Sequence, residues 1–462
     1  MRQPILLYFL FLSFPFFSQV RLTDVNFEFK KNNDFHQLVT NVNPNTSEIF
    51  SFGADKEKLF GAKFNSFVFF SDSLTTKRPF NFRYLMGCGF ATNQNPIAYW
   101  ATEDLNKFIG IEFEFPSQTT KTVEYSMSFK DHTIFTDFTE NGILYFLSEK
   151  KNSKALQVTT LQGHKIVQTE LDFSKFTFED ENQKKATLLE ILNEYGLTKI
   201  DKKGFTSFVT ASSPVKYYLR DNKLLITLDT TLKKTQIFEI NLTTFEVKEV
   251  LFMQDIASKD IKQTNSLLFE DKVIQLLSNK EVLEIKILNY SDKNLLKTVT
   301  ISESNTLPFT GSTFYSQIQN NAPQDLKTTK RFLNKLNNSN LGASLYNMNG
   351  NYVTTFGGYK ILSRNSDFLA DLIEIASDFD IPTSGNFMQQ NIYFDIVLNS
   401  KFNQETSTKE PLYIDKIAQF TAQNKNINYE HYFPYKDYYI LTYYDKSENK
   451  IVLTKFTDGF DY

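Results

Sequence analysis

A unit of apolar strand, polar turn, alternating strand, second turn and third strand recurs along the chain. One copy occupies 143–149, 154–161 and 165–173; a second, 224–229, 235–242 and 246–252; a third, 272–278, 282–288 and 295–301. Apolar and polar residues alternate within the strands: Ile109, Ile111, Phe113 and Phe115 with Gly110, Glu112 and Glu114, and Leu283, Ile285 and Ile287 with Glu284 and Lys286. A period of two buries one face of a sheet and wets the other. Units start at 97, 143, 224, 272, 392 and 438, and three of the five gaps match one period of about 47 residues. One step back from 97 lies IFSFGAD, at 49–55.

The two long gaps hold helical sequence. Asp180 with Gln183 reads as a capping box, Leu188, Leu192 and Tyr195 share a face, and Gly196 stops the helix. Pro323 opens a second helix carrying Leu326, Leu333 and Leu336. A third candidate covers 368–376, although LIEIAS there also reads as a strand. The gap from 272 to 392 is read as two periods plus an insertion. The expected fold is therefore all-β, a propeller of seven or eight blades with helical insertions near 180–197 and 323–336. Tandem β-sandwiches are the alternative, since similar meanders serve there. The last unit is short of strands, and FEFKK (27–31) and HQLVTNV (36–42) are expected to complete it, so that no edge stays open.

The N-terminus is a separate matter. Arg2 precedes an apolar stretch from Ile5 to Leu12, Pro15 breaks it, and Ser18 suits the position before a cut. Residues 1–18 read as a secretory signal peptide, leaving 19–462 as a single propeller-like domain that starts at Gln19. The apolar run is too short for a comfortable membrane span, and nothing comparable follows it. Cys88 is the sole cysteine, which excludes an internal disulfide; it lies too far from the cut to carry a lipid and in an apolar setting that suits an inert buried thiol. The stretch FFSDSLTTKRP (69–79), together with a leader ending Phe-Ser-Gln, resembles uncharacterised exported β-propeller-like proteins of flavobacteria and related Bacteroidota. That resemblance implies export across a Gram-negative inner membrane and implies no activity.

Composition bounds the partners. Lys and Arg total 50 against 53 Asp and Glu, a net charge of −3, which offers no whole-chain field for nucleic acid. The 47 Phe, 23 Tyr and 1 Trp are mostly core material. HExxH, Walker A, GxGxxG, GxSxG and CxxC motifs are missing, and Ser-x-x-Lys, at Ser148/Lys151, Ser213/Lys216 and Ser447/Lys450, is only as frequent as composition predicts. His36, His132, His164 and His431 are never paired at ligand spacing. Asp378 with Asp380, and Asp445 with Asn449, resemble fragments of a calcium loop but supply no full ligand ladder, and turn chemistry explains them equally well. The sequons at Asn45, Asn241, Asn289 and Asn337 are those expected of an Asn-rich chain. No cofactor or metal is expected.

The most polar-aromatic segment is 77–104. Lys77, Arg78, Arg83, Tyr99, Trp100, Glu103 and Asp104 are the candidate binding residues, because Arg and Trp anchor interfaces and aromatic faces stack on sugars. The competing reading packs Trp100 between blades. The functional expectation is a monomeric, exported, non-catalytic binding protein for a protein or glycan at the periplasm or cell surface. The alternative is a propeller hydrolase or lyase acting on polysaccharide or another extracellular polymer, with its residues drawn from separate blade loops.

Overall fold

The computed structural model describes residues 19–459 except 31–34, 152–154, 202–203, 255–259, 305–308, 310–311, 320, 364–386 and 406–409. Residues 1–18, read above as a signal peptide, the candidate helix 368–376, and Asp378 with Asp380 lie outside the described residues. Among the described residues the strands form seven sheets of four or five strands and one two-stranded hairpin. The sheets are the blades of a β-propeller. Blades one to five run through 37–77, 84–125, 132–171, 198–253 and 263–302; the sixth runs through 315–398; the seventh joins 427–456 to the strand Val20–Asn26.

Burial explains the strand composition. The second strands are largely buried, and in Ile49–Ala54 and Pro96–Ala101 every residue is buried. Neighbouring blades cover both of their faces. The outermost strands, such as Thr119–Tyr125 and Lys165–Leu171, alternate with water and carry the polar residues. Continuous cores join blades one and two, two and three, three and four, four to six, six and seven, and seven back to one. Each sheet thus shares apolar surface with both of its neighbours. Paired sandwiches would instead bury faces two by two.

Second strands start at 49, 96, 143, 223, 272, 351 and 438. The unit read at 392 is the third strand of the sixth blade, Phe387–Leu398, so the span from 272 holds one blade step fewer than its length suggests and the count is seven. In that blade an outer strand, Tyr315–Ile318, and the helix Thr329–Leu336 precede the inner strand Asn340–Met348.

The seventh blade is completed one segment earlier than expected. Val20–Asn26 pairs antiparallel with Lys450–Phe456, while Phe27 and Phe29 are buried in the core between blades seven and one, and Gln37–Val42 is the inner strand of blade one. A register shift between Arg21 and Thr23 breaks the alternation of VRLTDVN and hides it as a strand.

Helix starts also move. Asp180 caps a turn, with Oδ1 accepting from the amides of Asn182 and Lys184, and the helix begins at Leu188 behind a Thr187–Glu190 capping box, ending at Gly196 as read. The second helix starts at Thr329 behind Thr328, because Gln324–Asp325 is already spent pairing with Tyr315–Ile318. Two helices were not anticipated: Phe208–Ala211 and Tyr413–Gln423. No helix among the described residues is long and apolar enough to cross a membrane.

Candidate functional site

Antiparallel blades put the turns between first and second strands, and between third and fourth, on one face of the ring. The turns between second and third strands and the connections between blades lie on the other. The axis is partly filled by the chain itself. Thr198–Ile200 pairs parallel with Val215–Arg220 on the inner side of blade four, and the return passes through the helix Phe208–Ala211. A Cβ on Gly342 would lie 3.1 Å from the Ser212 Cβ and 3.2 Å from the Phe208 carbonyl oxygen, so glycine lets this helix press against blade six. The Ser344 hydroxyl donates to the Thr206 carbonyl at 2.6 Å, and the Phe205 amide donates to the Tyr413 hydroxyl at 2.8 Å.

Below this return lies a buried polar clamp. The Lys216 ammonium donates to the Ser213 carbonyl at 2.6 Å, to Asn265 Oδ1 at 2.6 Å and to Asp229 Oδ2 at 3.1 Å, and no part of either charged side chain reaches water. Asp229 also accepts from the hydroxyls of Thr235 and Ser266 and from the Ser266 amide, and Asn265 donates to the carbonyls of Ser212 and Leu341. Burial pushes the Lys216 ammonium below its ordinary range, and Asp229 opposes that shift. Three acceptors satisfy its three donors, so this Ser-x-x-Lys pair is a fastening between blades four, five and six.

Above the return, on the face of the first-to-second turns, a cavity of about 430 Å³ opens between blades four and seven. Its floor is aliphatic: Leu225, Leu267, Leu268 and Leu345. Tyr346, Tyr438 and Tyr439 form one wall, and Ile200, Asp201 and Gly204 the back. Arg220, Glu270, Asn347, Lys436 and Asp437 ring the mouth, each from a turn that begins or ends an inner strand. Most of these polar groups are engaged. Glu270 accepts from Asn347 Nδ2 at 2.7 Å and from the Tyr352 hydroxyl at 3.0 Å, Arg220 donates to the Glu270 carbonyl, and Lys436 donates to the Ser66 carbonyl at 2.7 Å. Tyr346 donates to Asp458 at 2.5 Å, and Tyr439 stacks on Tyr413 with ring centres 3.4 Å apart.

Asp137, Lys199, Asp201 and His431 line the rest of the axial passage. Lys199 pairs with Asp201 at 3.3 Å, and its charge acts on both Asp137 and His431, which belong to blades three and seven. Solvent reaches these side chains, yet protein surrounds the passage. Burial therefore pushes the Asp137 carboxyl up and the His431 imidazole down, and the Lys199 charge lowers His431 further while opposing the rise at Asp137. Among the described residues no three His, Cys, Asp or Glu side chains converge as a metal site.

Of the segment 77–104, the blade connection at 77–83 and the turn at 102–104 lie on the opposite face. Trp100 and Tyr99 are enclosed, Trp100 in the core of blades one and two and Tyr99 with its hydroxyl 3.4 Å from the Gly163 carbonyl. Arg78 lies over the Trp100 ring at 4.8 Å and donates to the carbonyls of Phe35, Asp55, Phe82 and Arg83. Burial, then the neighbouring Arg83 charge, pushes its pKa down to about 10. Arg83 lies over Phe35 at 4.3 Å. Lys77 and Glu103 are exposed, and exposed Asp104 accepts from the Thr102 hydroxyl at 2.7 Å within a turn. Arg78, Arg83 and Trp100 thus share one neighbourhood between blades one and two, while Tyr99 faces the core of blades two and three, and none of the seven lines the axial cavity. Cys88 is buried, and burial raises its thiol. Asp445 accepts from the Ser447 amide and hydroxyl, which is turn chemistry. His164 Nε2 donates to the buried Glu112 carboxylate at 2.8 Å, which also accepts from the side-chain amides of Asn93 and Asn95.

No family model matches the chain, and no curated protein matches its sequence. Solved structures with a similar arrangement include the β-propeller domain of Nup133 from Vanderwaltozyma polyspora, at 9% identity over 94% of this chain and 97% of that one, with a TM-score of 0.35. An oligogalacturonate lyase in complex with manganese aligns at 8% identity over 95% and 97%, with a TM-score of 0.33. A tryptophan variant of Synechocystis apocarotenoid oxygenase aligns at 9% identity over 59% of this chain, with a TM-score of 0.28, and the chain spans 62% of its length.

Proposed function

We propose that the protein is an exported, non-catalytic binding module whose axial cavity receives a segment of a partner protein. The observation that carries this reading is the pairing of an aliphatic floor with a tyrosine wall and a charged mouth. Such a pocket takes an apolar side chain and holds the flanking backbone at its rim. A glycan, the other partner class the sequence allows, would set hydroxyls against Leu225, Leu267, Leu268 and Leu345, where they find no hydrogen-bond partner. Export is supported by Arg2 and the apolar run that follows it.

The test is a displayed peptide library panned on the protein, with Asn347→Trp as a variant whose ring occludes the cavity mouth. Enriched peptides are expected to carry a large apolar side chain and to lose at least tenfold in affinity against the variant. Peptides indifferent to that substitution, or oligosaccharides that bind where peptides do not, would overturn the reading. A second reading, a hydrolase or lyase acting on an extracellular polymer, draws on the opposed shifts of Asp137 and His431, which suit an acid and a base in one passage. It requires turnover that Asp137→Asn abolishes while peptide binding persists.

A further inference from the structure

The turn between the third and fourth strands of blade one reverses the usual placement of apolar side chains. Val68 has φ 67°, the left-handed region, and is the only β-branched residue among the described non-glycine residues with positive φ. Its side chain is buried in the core of blades seven and one. Its neighbours point outward: Phe67 is 73% and Phe69 63% exposed, and Phe70, at the start of the next strand, is 43% exposed.

The amides of Phe67, Val68 and Phe69, at the tip of the turn, are all paired within it. Asn65 Oδ1 accepts from the amides of Phe67 and Phe69 at 2.9 and 3.0 Å, the Val68 amide donates to the Asn65 carbonyl, and the Asn65 amide to the Phe69 carbonyl. The Ser66 carbonyl accepts from the Tyr435 hydroxyl at 2.8 Å and from Lys436 Nζ at 2.7 Å, and that ammonium lies 5.3 Å from the Phe67 ring centre. Val20, 56% exposed, starts the strand that lies beside Phe70–Lys77, at the same end of the ring.

We propose that residues 65–70 are a membrane-contact element, with Phe67, Phe69 and Phe70 entering the interfacial layer of a lipid bilayer and Lys436 set behind them at the headgroups. A protein partner would profit from free donors and acceptors at the tip. A lipid phase offers none, and this turn has its amides paired before it arrives. A phenylalanine tip backed by one ammonium matches the layered polarity of that interface. Strain at Val68 is what turns two adjacent rings outward together.

The experiment is co-sedimentation of the exported protein with vesicles of phosphatidylethanolamine and phosphatidylglycerol at 0.15 M and 0.5 M salt. Wild type is expected to sediment at both, and Phe67→Ser/Phe69→Ser to lose at least tenfold in partition at an unchanged melting temperature. Phe67→Trp is expected to gain a fluorescence signal that shifts to shorter wavelength when vesicles are added. Asn347→Trp keeps vesicle binding, which separates this element from the cavity. Failure of wild type to sediment, equal partition of the double variant, or an indole emission that ignores lipid would each overturn the proposal. So would a wild-type dimer that the double variant dissociates, because the rings would then cover a second copy of the chain.

Discussion

Lys216 and Arg78 are both withdrawn from water, and they are held in different ways. Lys216, between blades four, five and six, is fully enclosed and faces a carboxylate, an amide oxygen and a carbonyl. Arg78, between blades one and two, is half-buried and has no carboxylate partner; four carbonyls and the rings of Trp100 and Phe35 hold it. A compact ammonium can be sealed in if a counter-charge comes with it. A planar guanidinium spreads its charge and keeps part of its edge wet. The first arrangement fixes the chain that fills the axis, and the second fixes the connection from blade one to blade two.

The largest effect is expected at the lysine. Lys216→Met leaves Asp229 buried with neutral donors only and should lower stability by about 3–5 kcal/mol, read as the urea midpoint. Adding Asp229→Leu removes the stranded charge and should recover much of the loss. A midpoint unmoved by Lys216→Met would mean that the clamp does not fasten the axial segment. Arg78→Met should cost less, about 2 kcal/mol, because water can enter to solvate the four carbonyls it abandons. Arg78→Lys should fall between wild type and Arg78→Met, since one ammonium cannot reach all four carbonyls set around a fork. Equal losses at the two sites would erase the distinction between sealed and half-open cations.

The arginine site was legible in the sequence as a place, because Arg and Trp are scarce here and three such residues crowd into 78–100. Its role was not, since nothing local distinguishes a guanidinium on a surface from one stacked on an enclosed indole. The propeller itself was legible because second strands covered on both faces are long apolar runs, and the first three recur at 49, 96 and 143. The count blurred where blade six takes its outer strand from sequence ahead of its inner one, an exchange that spacing cannot register. The cavity left no local trace. Arg220, Glu270, Asn347 and Lys436 each sit at an ordinary polar turn, and only the blade order brings them to one mouth. Lys216 lay inside a Ser-x-x-Lys match that composition accounts for, and its burial depends on Asn265, 49 positions away.

The smallest effect belongs to the seam of blade seven, where charge is exposed and no cation is sealed. Arg21 forks onto Glu448 at 2.9 and 2.8 Å, and Lys450 reaches Asp24 at 3.1 Å, tying the N-terminal strand to the C-terminal one. The Arg21 hydrogen bonds hold the Glu448 carboxyl down at about 2, below its ordinary 4.5. A depressed carboxylate contributes stability above its unfolded value and loses it as pH falls through its folded one. The contribution should therefore be whole above pH 4.5 and fade between there and about 2. Side-chain exposures of 36% and 41% keep it below about 1 kcal/mol, and salt should shrink it further. Melting curves of wild type and Glu448→Gln should accordingly differ by about a degree at most at pH 6, converge by pH 2, and lie closer at 0.5 M salt. A gap that persists at pH 2 would assign the difference to packing at the seam.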